Sequence, residues 1–331
     1  MQPINVKMKN SMQTQTEFLK LRTHLEQLII GQKKLLDRLL ISLLTGGHIL
    51  LEGAPGLAKT TAVNTLASGV HAGFQRIQFT PDLMPGDLTG IDIFDPDAHQ
   101  FKFVKGPIFH EIVLADEINR APPKVQSALL EAMAEHQVTV GGITRKLPDL
   151  FVVMATQNPI EQSGTYPLPE AQLDRFLLHI KLDYPTPEEE LQILQLDRKL
   201  HYGEDKEPLQ SAITPETVLA ARREVADIHV DSMLEKYIVS IITATRSLGN
   251  WHSDWHDILI AGASPRASIA LLRASSALAY INGRDHVIPE DILEVAPDVL
   301  RHRLVLDYSA LAANISADDI IQHLLSEIPI P

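Results

Sequence analysis

The chain contains no cysteine. That removes disulfides, thiolate metal sites and cysteine nucleophiles from the possible chemistries. No apolar run approaches the roughly 20 residues that a membrane-spanning helix needs. Residues 1–20 are polar throughout and lack the pattern of a secretory leader, so a cytoplasmic protein is expected. Positive charge is also scarce, with 29 Lys and Arg against 42 Asp and Glu and a net charge of −13. A protein whose main business is coating nucleic acid would carry the opposite balance. What is present is ordinary for a soluble globular protein: 45% hydrophobic and 21% charged residues. The 331 residues suffice for two domains and a large core. Histidines are plentiful, but the nearest approach to a metal set is His252, His256 and Asp257. With Trp251 and Trp255 beside them, these read as packing between helices.

The stretch that organises the chain is Gly53, Ala54, Pro55, Gly56, Leu57, Ala58, Lys59, Thr60 and Thr61. An apolar run, His48-Ile49-Leu50-Leu51, precedes it, and a helix-like segment follows to Ala67. Strand, glycine loop and helix is the context of a phosphate-binding loop. Gly53 and Gly56 let the backbone turn its N–H groups toward phosphate oxygens. The helix N-terminus adds partial positive charge, Lys59 reaches the β and γ phosphates, and the Thr60 hydroxyl can ligate Mg²⁺. Ala58 stands where the strict pattern has glycine, a difference of one methyl group.

Alternation of apolar runs with helices predicts a parallel sheet covered on both faces over residues 1–185. Residues 14–44 read as two helices broken at Ile30-Gly31-Gln32. Strands are predicted at 48–51, 74–79, 112–115, 151–155 and 176–182, with Pro122 and Pro123 opening a helix through Ala134. Residues 80–105 are rich in Pro, Gly and Asp, with Phe94, Phe101, Phe103 and Val104 spaced as in a small hairpin. That is too long for a plain turn and reads as a functional insertion. A second hairpin is predicted around Gly141-Gly142. Thr186-Pro187-Glu188-Glu189 is a helix start. Residues 202–211 are linker-like, and from Thr214 onward only helical patterns appear, at 215–227, 232–248, 265–282, 289–296 and 317–326. Residues 186–331 are therefore expected to form a smaller, all-helical domain.

Asp116 and Glu117 close a buried strand run. Nucleotide hydrolysis needs one carboxylate for Mg²⁺ and another beside the attacking water, and adjacent acids at a strand end diverge to provide both. Asn158 ends the next buried strand, placed either for the attacking water and γ-phosphate or as an Asn-Pro turn. Arg175 precedes the last strand, where a guanidinium suits developing phosphoryl charge or a salt bridge to Asp174. Arg266 lies in a first helical turn after Ser264 and Pro265; there it opposes the helix dipole, which points to an external anion.

Taken together, Gly-Ala-Pro-Gly-Leu-Ala-Lys-Thr, Leu-Ala-Asp-Glu-Ile-Asn-Arg-Ala-Pro-Pro-Lys, Ala-Thr-Gln-Asn-Pro-Ile-Glu, Pro-Glu-Ala-Gln-Leu-Asp-Arg-Phe and Gly-Ala-Ser-Pro-Arg-Ala resemble a MoxR-type AAA+ ATPase over residues 30–303. The resemblance implies a five-stranded parallel sheet, a helical lid, and rings, usually of six subunits, with ATP between neighbours. It assigns Lys59 and Thr60 to phosphate and Mg²⁺, Asp116 to Mg²⁺ and Glu117 to water activation. Asn158 becomes the sensor-1 residue, Arg175 the arginine finger and Arg266 the sensor-2 arginine, while Ile30 and Gly31 fall at adenine. The insertion at 80–105 resembles that of the wider group containing magnesium chelatase and the MCM helicases, in which the lid can be repositioned. The expected function is ATP-driven remodelling or maturation of client proteins, with a separate partner carrying a von Willebrand factor A-type domain. A nucleic-acid motor related to MCM helicases, a metal-chelatase-like subunit and a nucleotide-dependent scaffold are the rival readings.

Overall fold

The computed structural model describes residues 3–54, 56–57, 59–158, 164–202, 213–252, 255 and 257–331. Of residues 3–12, 199–202 and 311 only the backbone is considered. Pro55, Ala58, His256 and most of the linker-like stretch lie outside the described residues.

Two helices open the chain, α1 (Pro3–Leu28) and α2 (Lys33–Thr45), broken at the turn the sequence predicts. The first strand and phosphate-loop helix follow as β1 (Ile49–Glu52) and α3 (Lys59–Gly69). Next come β2 (Phe74–Gln78), the short α4 (Pro85–Thr89) and the hairpin β3 (Gly90–Asp95) with β4 (Gln100–Lys105). The chain continues through β5 (Ile112–Asp116), α5 (Pro123–Glu135), the hairpin β6 (Gln137–Val140) with β7 (Ile143–Lys146), and β8 (Val152–Gln157). A single turn, α6 (Glu170–Leu173), leads to β9 (Leu178–Lys181) and α7 (Pro187–Tyr202). The remainder is α8 (Pro215–Ala226), α9 (Ser232–Ala244), β10 (Leu259–Ala261), α10 (Pro265–Ile281), α11 (Pro289–Leu300), β11 (Val305–Leu306), α12 (Tyr308–Ala312) and α13 (Ala317–Glu327).

The central sheet has five strands in the order β2-β5-β8-β1-β9, and all pairings are parallel. Strand alternation divides the core in two. Ile49, Leu51, Leu114, Met154 and Leu178 face one cluster, which α1, α2, α3 and the helices α8 to α11 and α13 complete. Leu50, Val113, Ala115, Val153 and Ala155 face the other, built on α5 through Val125, Leu129 and Met133. The first cluster runs continuously from Phe18 to Ile328, across the change of character near residue 185.

One expectation needs correction. The C-terminal part is not wholly helical, because β10 and β11 pair antiparallel. Segments of two or three residues are too short for alternation to register in the sequence. Likewise α11 runs past the expected end and carries Pro297 inside it, while α9 stops at Ala244, short of the predicted limit.

The lid is fastened to the sheet by charge and by backbone capping. Arg303 donates from Nε to Asp174 Oδ1 at 2.8 Å and from Nη2 to the Phe176 carbonyl at 2.7 Å. The fully buried Arg38 of α2 reaches Asp298 Oδ2 of α11 at 2.8 Å. Arg301 also caps the His179 carbonyl and pairs with Asp298 at 2.9 Å.

Candidate functional site

The loop that leaves β1 emerges where neighbouring parallel strands lead to opposite sides, the position at which open α/β sheets bind ligands. Gly56 has φ +86°, in the left-handed region that favours glycine. A Cβ on Gly53 would lie 3.0 Å from the Leu182 side chain and 3.1 Å from its carbonyl oxygen, so glycine alone fits there without displacement. The loop and the strand ends enclose a cleft of about 390 Å³ lined by Gly56, Leu57, Lys59, Thr60, Thr61, Arg76, Asp116, Glu117, Thr156 and Asn158. Lys59, Thr60, Asp116, Glu117 and Asn158, read separately from sequence, thus meet in one place.

Within the cleft the Lys59 ammonium donates to the Gly53 carbonyl at 2.7 Å. Burial holds its pKa below the ordinary lysine value, partly offset by the carboxylates of Asp116, Glu117 and Glu52. Thr156 donates to Asp116 Oδ1 at 2.6 Å and its hydroxyl accepts from the Glu117 N–H at 2.9 Å, tying the two acids to β8. The other Asp116 oxygen receives the Arg76 guanidinium at 2.6 and 3.0 Å. Glu117 itself has φ +57°, a conformation costing a non-glycine residue on the order of 1 kcal/mol. The turn aims its side chain at Gln78 Nε2, 2.7 Å away, and Arg120 Nη1, 2.9 Å away, both on Oε2. Asn158 is 8% exposed.

The sequence reading did not single out Arg76, Gln78, Arg120 or Thr156. The signal for the first two was the alternation in Phe74-Gln75-Arg76-Ile77-Gln78, which puts Arg76 and Gln78 on one side of an edge strand. Strand register then sets Gln78 opposite Asp116. Glu52, just before the loop, was also missed. Its carboxylate meets His179 Nε2 of β9 at 2.7 Å, and that hydrogen bond holds the Glu52 pKa below its usual range.

Arg175 and Arg266 do not enter this cleft. They line a second one, of about 320 Å³, with Asp174, Arg273, Arg303, His48 and His136, and no residue lines both. Arg175 Nη1 caps the Leu130 carbonyl at 3.1 Å. The alternative salt bridge from Arg175 to Asp174 is not the one formed; Asp174 binds Arg303, with Arg266 at 3.5 Å. Ser264 accepts from the Arg266 N–H at 3.2 Å, confirming the expected helix start. Ile30 and Gly31 stand apart from the phosphate-loop cleft, in the turn between α1 and α2. A Cβ on Gly31 would lie 3.0 Å from the Glu189 side chain, so that turn backs onto the first turn of α7. His252 stacks on Trp255 with centroids 4.4 Å apart, and no metal-binding cluster occurs among the described residues. No helix among them is long and apolar enough to cross a membrane.

A five-stranded parallel sheet with a phosphate loop after its first strand, an acidic pair at the next-but-one strand and a C-terminal lid defines a P-loop ATPase of the AAA+ class. Residues 48–178 match the family model of ATPases associated with various cellular activities, and residues 255–324 match that of the AAA lid domain. The chain is 47% identical to Chaperone MoxR1 of Mycobacterium tuberculosis, over 92% of this chain and 80% of that protein. It is 46% identical to YeaC, an uncharacterised protein of Bacillus subtilis, over 93% of each, and 29% identical to protein MoxR of Methylorubrum extorquens, over 92% of each. A crystal structure of a Cytophaga hutchinsonii protein proposed to be an ATPase superimposes with a TM-score of 0.92 over the full length of both chains, at 44% identity. The chain belongs to the MoxR family of AAA+ ATPases, and its activity is hydrolysis of ATP.

Proposed function

We propose that this chain works as a homo-oligomeric ring, of six subunits, that spends ATP hydrolysis on remodelling or maturing protein clients in the cytoplasm. One observation carries the ring: Lys59, Asp116 and Glu117 share one cleft while Arg175 and Arg266 line another. A single chain in this arrangement holds the nucleotide but does not bring both arginines to it; a neighbouring subunit supplies them. Lys59 and the loop N–H groups bind phosphate, Glu117 orients and deprotonates the attacking water, and Asn158 fixes that water from β8. Ile30 and Gly31 border adenine. The Thr60 hydroxyl and Asp116 carboxylate offer the hard oxygen donors that Mg²⁺ prefers, in one cleft. Bound there, Mg²⁺ would neutralise phosphate charge. Arg76 and Thr156 hold the Asp116 carboxylate in position meanwhile.

Client remodelling is supported by the likeness to Chaperone MoxR1 and by the net charge of −13, which disfavours a motor tracking phosphates. A separate protein with a von Willebrand factor A-type domain is the expected adaptor. The test is affinity capture with Glu117→Gln in ATP and in ADP, alongside ATPase assays with duplex DNA. Protein partners should be retained in ATP only, and DNA should leave turnover unchanged. A DNA-dependent rise in turnover would replace this reading with that of a nucleic-acid motor.

A further inference from the structure

Among the described residues, helix α7 and the face between α9 and α10 each expose apolar side chains. Helix α7 exposes Leu191 (56%) and Leu194 (68%), spaced three apart on one stripe. Its first turn carries Glu188, Glu189 and Glu190, and the stripe continues one turn on to the exposed Arg198. The second surface is a groove of about 160 Å³ between α9 and α10, formed by Ile238, Val239, Ser268, Ile269 and Leu272. Val239 (55%) and Ile269 (51%) stand open to solvent. Exposed Glu235 closes one end of the groove, and Arg266 lies beyond the other on α10. Neither Arg198 nor Glu235 has an ion-pair partner among the described residues.

We infer that α7 of one subunit seats Leu191 and Leu194 in the α9–α10 groove of the next copy of this chain, with Arg198 against Glu235 and the acidic first turn toward the Arg266 end. The inference rests on the ring reading above and specifies how one copy meets the next. Charge selects both the occupant and its direction. Arg222 and Arg273 also stand around Glu235. Within that setting this direction sets Arg198 at the one carboxylate of the groove, whereas the reversed helix would set Arg198 beside Arg266. Apolar area on both sides supplies the affinity that the rim charges do not. Continuity supports the same approach. Helix α7 begins beside Gly31, at the proposed adenine position, and Arg266 lies on the same helix as Ile269. A subunit that delivers Arg266 to its neighbour's nucleotide therefore brings the groove past that neighbour's α7. Because the contact joins two different patches, it repeats head to tail, as a closed ring requires.

The absence of cysteine makes the contact directly testable. Leu194→Cys and Ile269→Cys chains, mixed with Mg²⁺ and a non-hydrolysable ATP analogue, should join through a short bismaleimide at more than ten times the yield of either alone. A chain carrying both substitutions should give a ladder of covalent oligomers. Rings seen by sedimentation without this cross-link overturn the contact and leave the ring reading standing. Absence of any oligomer with nucleotide present overturns both. A charge exchange supplies a second readout that needs no linker. Arg198→Glu should raise the protein concentration for half-maximal ATPase at least tenfold, and Glu235→Arg in the same chain should bring it back. A double variant no better than the single one overturns the pairing.

Discussion

Lys59 and Glu117 share a cleft, and the different roles proposed for them should make their variants separate. Lys59→Ala removes a charge-assisted contact to phosphate, so ATP affinity should fall roughly tenfold to a hundredfold. Glu117→Gln keeps the phosphate loop intact; ATP should bind normally while turnover drops about 10² to 10⁴-fold. Equilibrium nucleotide binding and single-turnover assays distinguish the two, and normal hydrolysis by Glu117→Gln would remove it from water activation. His48 gives a pH prediction. Burial lowers its pKa from 6.5 to about 4, while Met133 and Val153 backbone groups hold its two ring nitrogens. Between those pH values the unfolded chain takes up a proton that the folded chain refuses. Stability is therefore present near pH 7 and lost as pH falls through 6.5 toward 4, by roughly 3 kcal/mol at most from this residue. Denaturant midpoints at pH 7 and pH 5 should show the loss, and His48→Asn should reduce the difference without abolishing it, because burial also lowers the pKa of His302. The residues that were legible in the sequence sit at strand ends after buried runs, where local pattern and chemistry coincide. Arg76, Gln78 and Thr156 were not, because their partner Asp116 or Glu117 is reached only through strand register.

Among elements, the sheet was readable because fully buried strands such as β5 and β8 leave continuous apolar runs, and because Thr186, Ser264 and the paired prolines mark helix starts. The strands β10 and β11 left no such trace. Nor did the docking of α11, which depends on charges distant in sequence. Asp298 is 0% exposed and meets Arg38, Lys34 and Arg301. Asp298→Ala should strand the buried Arg38 with only Glu294 as an acidic partner and cost about 3 kcal/mol or more. For a chain this long about 1–2 °C is lost per kcal/mol, so thermal denaturation should register a drop on the order of 5 °C. An unchanged midpoint would mean that α11 docks without the ion pairs that converge on Asp298.

For the whole molecule, division of the two clefts predicts complementation between defective subunits. Arg175→Ala and Glu117→Gln should each be nearly inactive, the first by about 10³-fold or more. Mixed at equal ratio with free exchange, about one site in four pairs an intact Glu117 with an intact Arg175, and that share of activity should return. Turnover that stays at the floor in rings shown to exchange subunits would mean either that Arg175 acts within its own chain or that the ring requires all its sites together.

Order of synthesis is bound up with the larger core cluster. The α5 side of the sheet has its cover by Phe176, whereas the opposite side draws on residues as late as Ile328. While the chain is still leaving the ribosome, β9 with Leu178 waits for α11 to pack on it and α2 waits for α10, with only α1, α2 and α3 in place on that side. A nascent chain halted just after β9 should accordingly bind holdase chaperones and precipitate when released, and a chain halted after α13 should not. Soluble, protease-resistant product from the shorter chain would mean that the three early helices suffice. A protein proposed to remodel others would thus, until α13 is made, itself be a substrate for such help.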